Sequence, residues 1–388
     1  MKIFLIAGEP SGDMLGGALL AGLKSLCPDV QISGVGGPQM IAQGLDSQFP
    51  MEELSVMGIA EILPKYFHLK QRIRETADAI LAAKPDAVVS IDSPDFCLRV
   101  AKLVKQDAPD QKIIHYVAPS VWAWRPGRAA KMAKCVDHVL ALLPFEPPYM
   151  EAVGLGCDFV GHPVVAEPRA DKAAADAFRE THMIAPDQPL VLCLPGSRKS
   201  EVSRLGARFD EALMQLRDRE PGLRVVVPTV KGVSKMVGEM TARWPIAPIV
   251  VQDPAEKRAA FAAADLALAA SGTVSLELAA SRTPMVIAYD ASMITWNIIW
   301  RMMKIDTVTL VNLVSDTRVI PEFLGPECRP EKIARMMSRL LEDSALRAGQ
   351  LVAMDRTMER LGEGGEAPGM RAARAVLDVV NGGKTVSA

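Results

Sequence analysis

The chain has little excess charge of either sign: 44 basic and 46 acidic residues leave a net charge of −2 over 388 positions. A general nucleic-acid binder is more basic than this, so nucleic acid is not expected as a partner. Paired cysteines are also missing. Cys27, Cys97, Cys135, Cys157, Cys193 and Cys328 stand far apart with no CxxC. That spacing argues against structural zinc and a disulfide framework, and the mostly apolar neighbourhoods suit buried thiols. No run of about 20 apolar residues is present, so no membrane span is expected. The start, MKIFLIAGEPSGD, turns polar and glycine-rich at once and reads as a first strand, not a signal peptide. A cytoplasmic protein is the expectation. There is no short-period repeat. The stretch SGVGGP carries Gly34, Gly36 and Gly37 but no glycine at position 39, so the dinucleotide fingerprint fails and a nicotinamide dehydrogenase is disfavoured.

What is present is a long alternation of apolar β-branched runs and helical segments. Lys2 to Ala7, Gln31 to Val35, Ala87 to Ile91, Lys112 to Val117 and Val136 to Leu142 read as strands. Helical segments lie between them: GEPSGDMLGG, 8–17, turns into one that runs to about Leu26, and 65–84 and 95–106 are others. The pattern loosens over 161–189, which is rich in Pro, Ala and charge and reads as a linker plus one surface helix. It then restarts with Leu190–Leu194, Leu223–Val227, Ile249–Val251, Leu266–Ala270 and Met285–Tyr289. Alternation of this kind builds parallel sheets with helices on both faces. The expected fold is α/β, two Rossmann-like domains facing a central cleft, at 1–165 and 166–365. A last helix, near 368–380, follows the flexible GEGGEAPG and is expected to return to the first domain.

Chemistry-bearing turns fall at the carboxyl ends of these strands, where open α/β sheets hold ligands. The stretch DLALAASGTVSLELAASRTP, 265–284, runs from strand to helix through Ser271-Gly272-Thr273. Unpaired N–H groups and the helix dipole there suit a phosphate. Glu277, about one turn on, suits the two hydroxyls of a ribose. Helix capping by Ser271 and Thr273 is the plainer alternative. LPGSRKSEV, 194–202, carries Arg198, whose guanidinium can take two phosphate oxygens and stabilise a departing diphosphate. Glu201 is placed to pair with it or support the first helical turn. SIDSPDF, 90–96, puts Asp92 just past a strand, where one carboxylate can act as a general base; Asp95 reads as the helix start. HYVAPSVWAWRPGR, 115–128, offers Trp122, Trp124, Arg125 and Arg128 as a substrate wall or as core aromatics with exposed charges. His115 reads as a hydrogen-bonded core histidine. Two apolar stripes carry basic neighbours: Tyr66, Leu69 and Ile73 within 63–74, and Trp296, Ile299, Trp300 and Met303 within 293–305. Each suits a core face or a membrane surface.

In order, GEPSGD (8–13), SVMGIAEILP (55–64), IDSPDF (91–96), HYVAPSVWAWR (115–125), LLPFE (142–146), GHP (161–163), LPGSR (194–198) and SGTVSLE (271–277) resemble the lipid-A-disaccharide synthase family of Gram-negative bacteria. The resemblance runs from about Lys2 to Cys328. It implies a GT-B-type glycosyltransferase that moves a sugar from UDP-2,3-diacylglucosamine to the 6-hydroxyl of 2,3-diacylglucosamine 1-phosphate. Inversion would give the β-1',6-linked disaccharide 1-phosphate and UDP. By that resemblance Asp92 is the general base and Arg198 the diphosphate ligand. Ser271, Gly272, Thr273 and Glu277 form the UDP seat. Glu9, Ser11, Gly12 and Asp13 in the first loop, and Asn312, match further active-site positions. Val311 stands where the family pattern has proline before that asparagine. No cofactor or metal is implied, since Arg198 and the helix start bear the diphosphate charge and no DxD-type pair is placed for a metal. The acylated substrates imply peripheral attachment to the cytoplasmic face of the inner membrane. The sequence leaves the oligomeric state open and admits a homo-oligomer. Two other readings stay open: a UDP-sugar 2-epimerase on the same fold, and a two-lobed nucleotide-sugar binding protein without catalysis.

Overall fold

In a computed structural model the chain forms two compact units, residues 1–166 with 364–388, and residues 167–363. The structure describes residues 1–54, 59–291, 296 and 301–382, without the side chains of 59–65.

Unit 1 is built on a six-stranded sheet in the order β2-β1-β3-β4-β5-β6. Its strands are β1 Lys2–Ala7, β2 Gln31–Val35, β3 Ala87–Ile91, β4 Ile113–Tyr116, β5 His138–Ala141 and β6 Gly156–Phe159. All pairings are parallel. Strands covered on both faces cannot alternate polar and apolar residues, and β3 accordingly is buried at every position. One face packs Phe4, Ile6, Val88 and Val139 against the helix Pro94–Asp107 through Val100 and Val104. The other packs Ile3, Leu5, Val89 and Tyr116 against the helix Pro10–Leu26 through Leu15 and Leu19.

The helix Pro368–Val380 belongs to unit 1 and lies on the helix Pro10–Leu26. Small residues let the two backbones meet: a β-carbon on Gly22 would stand 2.7 Å from the Gly369 carbonyl oxygen, and one on Gly369 would stand 2.6 Å from that of Ala18. Ala372, Ala373 and Val376 join the core beneath. Lys112 Nζ donates to the carbonyls of Val379 and Val380 at 2.9 and 2.7 Å, closing the carbonyl-rich helix end with a cation.

Unit 2 has a sheet in the order β12-β11-β10-β7-β8-β9, again all parallel. Its strands are β7 Leu190–Leu194, β8 Arg224–Pro228, β9 Ile249–Val251, β10 Leu266–Ala269, β11 Met285–Tyr289 and β12 Glu322–Leu324. The helix Lys199–Arg217 packs Leu205, Phe209 and Leu213 on the sheet beside Met337 of the helix Pro330–Glu342. Strand ends differ from the sequence expectation by a residue or two at β4, β5, β8 and β10. Two strands, β6 and β12, were not anticipated. Both are short outer strands with half-exposed residues, so neither shows a buried apolar run.

Candidate active site

In unit 1 the sheet order reverses between β1 and β3, and the loops leaving those two strands meet at their carboxyl ends. Glu9 is the extended residue before the helix Pro10–Leu26, and Ser11 lies in its first turn. Ser11 Oγ donates to Asp92 Oδ2 at 3.2 Å, and Ser93 Oγ donates to Glu9 Oε1 at 3.5 Å. Glu9, Ser11, Asp92 and Ser93 therefore form one cluster. Asp92 and Ser93 both adopt left-handed backbone, with φ of +53° and +42°. Two such residues in succession store strain of about 1–3 kcal/mol each, of the kind that gathers at functional sites. The Asp92 N–H is fixed by the Tyr116 carbonyl at 2.9 Å. Asp95 is exposed in the first turn of the next helix, where the dipole favours a carboxylate.

Three expected site residues sit inside the fold instead. Asp13 is only 3% exposed. Its carboxylate accepts the backbone N–H groups of Gly37, Gln39 and Met40 at 2.9, 2.9 and 3.0 Å, so it caps the short helix Pro38–Ala42. Gly12 is buried against β3, where a β-carbon would stand 3.1 Å from the Ile91 carbonyl oxygen. Asn312, 1% exposed, spends its amide inside unit 2. Its Nδ2 donates to Thr307 Oγ1 and the Ile320 carbonyl at 3.1 and 2.9 Å, and its Oδ1 accepts the Ile320 N–H at 3.0 Å.

In unit 2 the reversal lies between β7 and β10. A cavity of about 360 Å³ opens there, walled by Arg198, Lys257, Ser271, Thr273, Glu277 and Thr229 among others. Its volume and mix of cations, hydroxyls and a carboxylate suit a nucleoside diphosphate. Gly196 turns the chain out of β7 at a φ of +117°, and a β-carbon there would stand 2.5 Å from Glu201 Oε2. Glu201 organises this turn. Its Oε2 accepts the N–H groups of Ser197 and Arg198 at 3.1 and 3.2 Å, and its Oε1 lies 3.1 Å from Arg198 Nη1. The Arg198 side chain remains 63% exposed and available to an anion. Gly272 has a φ of +152°, and Thr273 precedes the helix Val274–Ala280 without a side-chain cap bond. Ser271 and Thr273 line the cavity with their hydroxyls uncommitted to that cap.

Sequence reasoning missed two members of this wall. Lys257, on the helix Pro254–Ala263, places Nζ 2.6 Å from Glu277 Oε2 and 5.2 Å from the Phe261 ring centre. It is twenty positions from its partner with no motif linking the two. Thr229 is largely buried, and its hydroxyl has no hydrogen-bond partner among the described residues.

Unit 1 also buries three titratable groups, His115, His162 and Glu146. His115 Nδ1 lies 2.8 Å from Ser90 Oγ, and burial, with the charge of Arg128, pushes the imidazole down to about 4. Burial holds His162 down to about 4 as well. Glu146 is pushed up to about 7 by burial, against the opposing pull of its bonds to the Leu143 N–H and the Trp122 indole. Glu146 lies within LLPFE, but nothing in that string shows which way its side chain turns.

On the outer side, the helix Ile59–Ala83 shows Phe67 82% exposed, with Tyr66 beside it edge-to-face at 5.7 Å. Ile73 is core, while Arg72 is committed to Glu53 and Glu75 and stacks 4.4 Å over Phe49. The expected stripe thus divides between core and surface. The side chains of Leu63, Pro64 and Lys65 lie outside what is described, as do Ile299 and Trp300 of the second stripe. Trp296 packs half-buried against Gly325. No helix among the described residues is long and apolar enough to cross a membrane.

Comparison with known proteins adds the family. The family model described as lipid-A-disaccharide synthetase matches residues 3–374. The lipid-A-disaccharide synthase of Ruegeria pomeroyi is 61% identical, covering 98% of this chain and 96% of that one. The enzyme of that name from Rhodospirillum centenum is 50% identical over 98% and 95%. Among solved structures, UDP-GlcNAc 2-epimerase from Neisseria meningitidis bound to UDP-GlcNAc superposes with a TM-score of 0.66 at 10% identity, covering 98% of this chain and 100% of that one. A glycosyltransferase from Rickettsia africae gives 0.60 at 12%, covering 100% and 99%. At such identities the structures speak for the shared GT-B-like architecture alone, whereas the sequence relatives span both units and every motif quoted above. The chain is an enzyme of the lipid-A-disaccharide synthase family.

Proposed function

We propose that the chain joins UDP-2,3-diacylglucosamine to 2,3-diacylglucosamine 1-phosphate by a single inverting displacement. The donor's UDP belongs to the unit 2 cavity, with its diphosphate on Arg198, Ser271, Thr273 and the backbone around Gly272, and its ribose on Glu277. The acceptor belongs to unit 1, where Asp92 removes the proton of the 6-hydroxyl as that oxygen attacks the anomeric carbon. The bond from that carbon to the diphosphate breaks, UDP leaves with the electron pair, and the β-1',6-linked disaccharide 1-phosphate forms. Arg198 opposes the negative charge that grows on the leaving group. Glu9 and Ser11 hold the carboxylate cluster. Asp13 and Asn312 act by positioning the loops around them.

The observation that carries this reading is the unit 2 cavity, which sets two cations, two free hydroxyls and a ribose-type carboxylate around a space of about 360 Å³. The test is UDP release with and without the acylated acceptor, followed by the anomeric configuration of the product. Release that depends on acceptor and yields a β-linkage supports the reading. Release or isomerisation of donor at the same rate without acceptor supports the 2-epimerase alternative instead.

We also infer that the enzyme works from the cytoplasmic face of the inner membrane without spanning it. Tyr66 and Phe67 project from a helix that Arg72 ties to Glu53, beside a groove of about 770 Å³ that also holds Lys70, Arg74, Arg99 and Lys102. Apolar rings among exposed cations suit an anionic lipid surface, each cation contributing about 1 kcal/mol.

A further inference from the structure

We propose that the loop 117–126 carries the subsite for the anionic sugar head group of the acceptor. Trp124 and Arg125 are its contact residues, and Glu146 is the positioning residue that holds them. The proposal rests on the transfer reading above and adds the recognition of the acceptor's phosphate.

The loop leaves β4 directly after Tyr116, the residue whose carbonyl fixes the Asp92 N–H at 2.9 Å. Its first residue thus sits beside the carboxylate cluster. Its backbone is strained near both ends, with φ of +88° at Val117 and +48° at Arg125. A β-branched residue in the left-handed region is a true outlier and persists only where the surroundings enforce it.

The surroundings supply that enforcement. The Val117 N–H is held by the Leu140 carbonyl at 2.9 Å, and Ala118 and Val121 are buried. Trp122 turns inward, its ring edge-on to Phe145 at 5.2 Å, and its indole N–H donates to Glu146 Oε1 at 3.2 Å. The other Glu146 oxygen accepts the Leu143 N–H at 3.0 Å. A buried carboxyl with one oxygen on each of two segments is a costly way to hold a simple connection.

What the anchored loop presents is the next aromatic. Trp124 is 36% exposed, and the Arg125 guanidinium lies 4.4 Å from its ring centre. A flat indole face suits the C–H face of a pyranose. A guanidinium held against it is oriented, which suits paired hydrogen bonds to phosphate. Together they read a sugar phosphate, not a lipid tail. Arg128, one turn further, adds positive charge on the same segment.

The test uses the full chain with two acceptors, 2,3-diacylglucosamine 1-phosphate and its dephosphorylated counterpart. Arg125→Ala is expected to raise KM for the phosphorylated acceptor about 10- to 100-fold, with little change for the dephosphorylated one or for the donor. Arg125→Lys is expected to recover part of the loss. Trp124→Ala should raise KM for both acceptors. Trp122→Phe, which keeps an aromatic ring but removes the indole N–H together with its five-membered ring, should raise acceptor KM while leaving UDP affinity and donor KM intact; Glu146→Leu should do the same more strongly. Should Glu146→Leu fail to fold, Trp122→Phe carries that arm. Unchanged acceptor KM in Arg125→Ala, or equal loss with both acceptors, overturns the subsite. An equal loss of vesicle binding by Arg125→Ala assigns the arginine to phospholipid and overturns it too. If wild type forms no disaccharide with either acceptor, the transfer reading falls. Equilibrium binding of the phosphorylated acceptor to wild type and Arg125→Ala then still decides the subsite.

Discussion

Lys257 Nζ stands 2.6 Å from Glu277 Oε2, with both side chains about one-third exposed on the wall of the unit 2 cavity. Exposed pairs of this kind contribute little to stability, typically about 0–1 kcal/mol. The consequence of the pair lies in where it points Glu277.

Glu277→Ala is expected to raise donor KM with a modest change in kcat, because a ribose contact is made in ground and transition state alike. Lys257→Met is expected to raise donor KM in the same manner but by less. In a Glu277→Ala background the lysine substitution should add almost nothing, since it acts through the carboxylate. Arg198→Ala should instead lower kcat, because diphosphate charge grows as the bond breaks. Steady-state kinetics on the four variants decide it. Fully additive effects of Lys257 and Glu277 would show that the lysine binds the donor independently.

Asp92→Asn is expected to lower kcat by about 10²–10⁴-fold while UDP affinity stays at the wild-type value. The amide keeps the size and the bond from Ser11 but cannot take up a proton. Turnover above about a tenth of wild type would take the base away from Asp92 and direct attention to Glu9, which shares its cluster through Ser93.

Membrane attachment is checked by co-sedimentation with anionic and neutral vesicles over a salt series. Wild type is expected to pellet with anionic vesicles at low salt and to be released as salt rises, since screening shortens the reach of each charge. A Phe67→Ser, Lys70→Glu variant is expected to stay in the supernatant. Wild type that never pellets removes membrane attachment; a variant that pellets equally moves it to another surface.

The stability of unit 1 is expected to fall as pH drops from about 6.5 towards 4. His115 and His162, both near 6.5 when unfolded, are pushed down to about 4 by burial. In that window the unfolded chain binds more protons than the folded one. The histidine contribution is therefore complete above 6.5 and lost as pH falls through the window, by about 3 kcal/mol each. Glu146 opposes it. Its carboxyl is pushed up from 4.5 to about 7, so the folded state holds its proton more tightly and gains as pH falls from 7. Two groups outweigh one. Hydrogen-exchange protection of the β3 and β4 amides between pH 5 and 7 measures the slope. His115→Gln with His162→Gln should reverse its sign, and a flat wild-type profile would count against the assignment.

How much of this could be read from the residues depends on what the residues had to do. β1, β3, β7 and β11 stood out because strands covered on both faces leave continuous apolar runs. Gly156–Phe159 and Glu322–Leu324 did not, because an outer strand exposes part of its length and needs no such run. The positions of Asp92 and Arg198 just past a strand were legible from the apolar runs that precede them. Asp13 and Asn312 look identical in sequence to ligand-binding residues, yet Asp13 bonds backbone N–H groups more than twenty residues on, and Asn312 bonds the Thr307 hydroxyl and the Ile320 backbone. The union of Lys257 with Glu277, and of Glu146 with Trp122, depends on side-chain direction across separate elements, which no local pattern encodes.

The seat of the helix Pro368–Val380 has a consequence for how the chain is made. Ala372, Ala373 and Val376 complete the packing over Leu19 and Leu23, and Gly22 admits no substitute for the partner backbone. A ribosome releases residues 1–166 long before it has made that partner. Unit 1 must therefore wait, with an apolar groove open along the helix Pro10–Leu26, while all of unit 2 is synthesised and free to fold. Nascent chains truncated between the end of unit 2 and position 380 are expected to hold a protease-resistant unit 2 beside a still-cleavable unit 1.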